Sequence, residues 1–210
     1  MKRVAILFSL TLGWAAGSFA ADANPVGDAT AGKSKSVACG ACHGADGNSA
    51  APFPKLAGLG EKYLLKQLRD IRDGARQVPT MAGQLDGKVD QDLADIAAYF
   101  SSQSRSGGQT DPELLALGAK VFRSGVAERK VPACIACHSP TGKGNAPGGF
   151  PALAGQHAQY VADQLRAYRK GYEDPAGRTN DGDTKIMRTV AFGLSDKEIE
   201  AVSSYVAGLK

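Results

Sequence analysis

The mature part of the chain lacks any run of about 20 apolar residues, the length that a membrane-spanning helix requires. It also lacks a Lys/Arg-rich block. The full sequence holds 25 basic and 21 acidic residues, and two of the basic ones, Lys2 and Arg3, stand in an N-terminal leader. That balance carries no electrostatic signature of nucleic-acid binding. No stretch alternates apolar and polar residues as a half-buried strand would, so the expected fold class is all-α. Aromatic residues are scarce at 7% and glycines number 26. Small units built from such material bury little surface and are marginal alone. A non-protein group is therefore expected to complete each core.

The chain opens "MKRVAILFSLTLGWAAGSFAADANP": two cations, an apolar run to about Ala16, then small residues. Ser18 and Ala20 stand at −3 and −1 of a cleavage after Ala20. Residues 1–20 read as a cleaved signal peptide, and the mature protein as soluble and exported to a disulfide-tolerant compartment.

The remainder is a tandem duplication. "FPKLAGLGEKYLLKQLRDIRDG" (Phe53–Gly74) returns as "FPALAGQHAQYVADQLRAYRKG" (Phe150–Gly171), with Tyr63, Gln67, Leu68, Arg69, Arg72 and Gly74 among the residues meeting identical partners. Domain one is expected over about 21–104, a Gly/Ser-rich linker over 105–110, and domain two over 111–210. Two insertions enlarge the second copy, around "VAERKVP" and "EDPAGRTNDGD", and both read as surface loops. Helical spacing groups Leu64, Leu68 and Ile71; Leu93, Ile96 and Phe100; Val161, Leu165 and Tyr168; and Ile199, Val202 and Val206. Asp111-Pro112-Glu113 predicts a helix start with Asp111 as N-cap, and Ser195 with Glu198 has capping-box spacing. Gly118, Phe122 and Tyr205, with Gly32 and Tyr99 in the first copy, suggest close helix crossings.

The only four cysteines form two copies of one motif, "CGACH" at Cys39–His43 and "CIACH" at Cys134–His138. Cys-x-x-Cys-His is the attachment sequence for c-type haem. Cysteines at i and i+3 lie on one face of a helical turn, so two thioethers reach one macrocycle while the adjacent histidine projects towards the iron. A local disulfide leaves each histidine unexplained. A thioredoxin-like dithiol needs a βαβ setting, and a four-cysteine zinc site usually has its pairs 15–20 residues apart. Two covalently bound haem c groups are thus expected, on Cys39, Cys42, Cys134 and Cys137, with His43 and His138 as proximal ligands. Met81 and Met187, one in each half after the middle helix, are the candidates for the sixth position, where a thioether raises the reduction potential. His157 is spare, and a hydrogen-bonding role suits it better than ligation. Arg69, Arg72, Arg166 and Arg169 read as solvated helix faces, with one or two available to haem propionates.

The stretches "ACHGADGNSAAPFPKLAG", "YLLKQLRDI", "DQDLADIAAYFSSQ", "FPALAGQH", "RTNDGDTKIM" and "LSDKEIEAVSSYVAGL" resemble the dihaem cytochrome c4 family across the mature length. The resemblance implies two class I cytochrome c domains related by a pseudo-twofold, each around its haem, with His43/Met81 and His138/Met187 as iron ligands. It implies an electron-transfer protein of the periplasm rather than an enzyme. The expected form is a two-domain monomer able to associate with the membrane surface, whose partners are membrane respiratory complexes including a haem–copper terminal oxidase. Iron saturated by histidine and methionine has no vacancy for substrate. The rival readings are a dihaem peroxidase-like enzyme with one open site, and the cytochrome subunit of a flavocytochrome sulfide dehydrogenase.

Overall fold

A computed structural model describes residues 24–210, so the expected signal peptide, residues 1–20, lies outside the described residues. The first half contains helices α1 (Ala29–Lys35), α2 (Gly40–His43), α3 (Glu61–Arg72) and α4 (Asp90–Ser102). The second contains α5 (Leu115–Ser124), α6 (Ile135–His138), α7 (Ala158–Glu173), α8 (Ile186–Phe192) and α9 (Asp196–Gly208). Among the described residues the only β-type pairings are two isolated bridges, Val126–Val131 and Asn145–Phe150. The fold is all-α, as its periodicity predicts. No helix among the described residues is long and apolar enough to cross a membrane.

Each half closes on itself by crossing its first helix over its last. At α1–α4 a Cβ on Gly32 would lie 1.9 Å from the Asp95 carbonyl oxygen, and at α5–α9 a Cβ on Gly118 would lie 2.2 Å from that of Ala201. Backbone meets backbone at both crossings, so only glycine fits. Aromatic rings cover the joints: Phe122 and Tyr205 sit 5.4 Å apart, Tyr99 and Phe100 5.2 Å. Two separate cores result. One gathers Leu64, Leu65, Leu85, Leu93, Ile96 and Phe100; the other Val121, Phe122, Val161, Leu165, Ile199, Val202 and Val206.

The helix ends follow local chemistry. Asp28 caps α1 by accepting from Thr30 N at 2.7 Å and Ala31 N at 3.3 Å. The predicted capping box forms at α9, where the Glu198 carboxylate accepts from Ser195 N at 2.8 Å. The predicted start of α5 is corrected. Asp111 caps a turn, accepting from Glu113 N at 2.9 Å, and α5 begins only at Leu115. The second insertion is corrected too. It is not merely a surface loop, because Arg178 and Asn180 are only 8% exposed and Arg178 N donates to Ala167 O at 2.8 Å.

Asp95 fastens the first crossing. Its carboxylate, 4% exposed, accepts from Asp28 N at 2.9 Å, Lys35 Nζ at 2.6 Å and Gln91 Nε2 at 2.8 Å. The Asp28 amide, then the Lys35 charge, hold its pKa down at about 2 against an ordinary 3.8. A depressed carboxylate contributes stability above its unfolded pKa and loses it as the pH falls through the folded value. The Asp95→Asn variant is expected to melt lower at neutral pH and to show a flatter stability profile than the parent between pH 4 and 2. Thermal melts across that range provide the check.

Candidate functional site

Each cysteine–histidine motif lies on one short helical turn, which puts both sulfurs on one side and the histidine at its end. None of the four cysteines is in a disulfide. Burial pushes the Cys39 thiol up from its ordinary value, and the Cys134 thiol up to about 11. These are not the depressed thiolates of a dithiol redox site. Among the described residues no cluster of three or more His, Cys, Asp or Glu side chains could hold a metal ion, because the two cysteine pairs belong to different halves.

His43 and His138 are 7% and 6% exposed. His43 Nδ1 lies 2.9 Å from Pro54 O, and His138 Nδ1 lies 2.8 Å from Pro151 O. A carbonyl only accepts, so Nδ1 carries the proton and Nε2 presents its lone pair. Burial lowers both pKa values, outweighing those bonds, and keeps the rings neutral. Phe53 and Phe150 each meet their histidine edge-on at 6.2 Å. Each ring is thereby oriented as a neutral nitrogen ligand. Met81 ends a 3-10 turn, Pro79–Met81, and Met187 occupies the first turn of α8. Met81 packs on the core that also touches Cys39, and Met187 on the core that touches Cys134.

The contact between the halves is rich in cations, and Asp70 brings an acid to it, accepting from Asn180 Nδ2 at 2.5 Å. Arg178 donates to Gln164 Oε1 at 2.6 Å, Gln67 Oε1 at 2.8 Å, Asn180 Oδ1 at 2.8 Å and the Tyr63 hydroxyl at 3.4 Å. Arg76 donates to the same two glutamines at 3.0 and 2.9 Å and to the Tyr160 hydroxyl at 3.1 Å. Each half's arginine thus reaches the other half's copy of one repeated tyrosine. Burial alone would raise the Tyr63 pKa, but the charges of Arg178 and Arg76 draw it below its ordinary value. Lys55 is 5% exposed, and Arg105 keeps one Nη buried without a partner.

Buried charge uncompensated by an anion is costly, and among the described residues no carboxylate hydrogen-bonds to any of these four groups. The thiol pairs and the oriented histidines fit haem c in both halves. The arginines named from the sequence are spoken for: Arg69 and Arg72 pair with Asp90, Arg166 with Glu200, and Arg169 with Asp196. His157 crosses to the first half, with Nε2 2.9 Å from Ser49 O, and so makes the hydrogen bond expected of it.

Comparison with known proteins agrees with this architecture. The cytochrome c family profile matches residues 29–104 and again 115–210. Cytochrome c4 of Pseudomonas aeruginosa is 56% identical, over all of both chains. The crystal structure of reduced recombinant cytochrome c4 from Pseudomonas stutzeri superposes with a TM-score of 0.84 at 56% identity, covering 88% of this chain and all of that one. A thiosulfate dehydrogenase electron acceptor of Stutzerimonas stutzeri is 40% identical over 82% of this chain and 79% of its own.

Proposed function

The chain belongs to the cytochrome c4 family of electron-transfer proteins with two covalently bound haem c groups, and we propose that it carries electrons in a periplasmic respiratory chain towards a terminal oxidase. Each haem, when bound, supplies a one-electron iron couple. The chain's own residues do the rest. In this reading Cys39 and Cys42 hold one group and Cys134 and Cys137 the other. Pro54 and Pro151 fix the tautomers that would let His43 and His138 ligate the irons, and Met81 and Met187 would be the second ligands. Irons so ligated would leave no position for substrate, which favours carriage over a peroxidase-like reaction. The observation that carries the reading is the matched pair of buried histidines, each donating Nδ1–H to a proline carbonyl. The signal-peptide pattern supports export, and membrane respiratory complexes are the proposed donor and acceptor, met at the membrane surface.

A spectrum of the purified ferric protein, with haem per chain measured on the same sample, tests this. Two haems and a sulfur–iron band of two-site intensity are expected. Met187→Leu should halve that band and lower one of the two potentials. Two haems with the band already halved in the parent would return the open-site enzyme to the front. A second reading of the donor rests on one relative's name: a thiosulfate-oxidising enzyme. Reduction by such an enzyme in stopped flow would support it without changing what this chain does.

A further inference from the structure

The loops that hold the two axial histidines are stitched to each other, and the stitches are charged. One loop runs from Ser49 to Gly58 and contains Pro54; the other runs from Pro151 to His157. Gln156 imitates a strand neighbour, accepting from Lys55 N at 2.9 Å and donating to Lys55 O at 2.8 Å. Lys55 Nζ donates to Gly155 O and Ser106 O, both at 2.9 Å, and to Gly107 O at 3.3 Å. Arg105 Nε donates to Ala57 O at 2.7 Å, while its Nη1 donates to Ala152 O at 3.0 Å and Ala154 O at 3.3 Å. One guanidinium thus grips both loops, and one ammonium joins Pro54's neighbour to the loop of Pro151.

Neutral donors would suffice for adhesion, and at lower desolvation cost. Two cations whose hydrogen-bond partners are all carbonyls place net positive charge between the two histidine supports. Burial, then the field of Arg105, lowers the Lys55 pKa, but Nζ donates to three carbonyls at once, which takes the three protons of an ammonium; burial takes Arg105 to about 10, so it remains charged at neutral pH. A fixed positive charge favours the electron-richer state of any redox centre near it. In a water-poor interface its reach is longer than in solvent.

We propose that Lys55 and Arg105 are positioning residues shared by both haem centres, raising the two reduction potentials together through the loops that hold His43 and His138. This rests on the electron-carrier reading above.

The test is a spectroelectrochemical titration of the holoprotein, the Lys55→Gln variant and the Arg105→Gln variant, with thermal melts alongside. In each variant both midpoint potentials are expected to fall, with the sulfur–iron band intact. Lys55→Arg, which keeps the charge, is expected to leave both near those of the parent. A fall in one couple alone, or a lowered Tm with neither potential moved, overturns the proposal. Should one glutamine variant fail to load haem, the other reads the same quantity. A parent protein without two haems and two one-electron steps sinks the carrier reading itself, and that result is visible before any variant is compared.

Discussion

Replacing Cys134 and Cys137 together by alanine is expected to halve haem per chain from two to one and to unfold the second half selectively. The reason is the size of what remains. Each half has its own small core, its aromatic content is low, and a domain of that size is marginal without a group to complete it. Binding that occurs only in the folded state adds its free energy to folding, and a covalent tether makes that addition permanent. Loss of the tether removes the filling of the core. Intact mass and absorbance should each report one haem, and limited proteolysis should cut beyond about residue 110 while sparing the first half. Retention of two haems would refute the assigned attachment residues.

The second large effect needs no cofactor argument. Gly118→Val is expected to destabilise the second half by about 3 kcal/mol, lowering its Tm by on the order of 10–20 °C. The new Cβ would sit 2.2 Å from Ala201 O and 2.6 Å from the Tyr205 Cβ. Neither neighbour is the free end of a side chain, so α5 and α9 must separate. Their separation disturbs Val121, Phe122, Ile199 and Val202 at once. Gly107→Ala is the control, since nothing lies within 4 Å of a Cβ there. Calorimetry of both variants, with the first half's transition as an internal reference, decides the matter.

Much of this molecule was legible before any coordinates. Periodicity placed the core faces of α3, α4, α7 and α9, because a helix repeats its burial every 3.6 residues. The duplication made each candidate residue a pair, which is why Met81 and Met187 stood out among so few methionines. It also marked Tyr63 and Tyr160, and Gln67 and Gln164, as equivalent, although nothing in a single repeat says that they face one another. What stayed hidden was the seam between the halves. Beside those matched pairs, it uses residues that break the internal symmetry: Lys55 stands where the second copy has Ala152, Gln156 where the first has Leu59, and His157 where it has Gly60. A signal was present in those mismatches. Two halves related by duplication need identical residues for their cores and different ones where they meet off-axis. Arg178 was hidden for another reason. It sits among Gly, Pro, Asp and Asn, a composition that reads as solvent-facing, and only tertiary packing against α3 and α7 buries it.

The first-over-last crossing in each half also orders how the molecule comes into being. The glycine joint of the first half is made wholly from residues 28–102, and that of the second from residues 111–208. For a chain delivered N-terminus first, the earlier unit has every partner it needs while the later one is still in transit. Lys55 and Arg105 then wait with open bonds, and the arrival of residues 151–157 closes them. Maturation is sequential by construction, and the interface forms last.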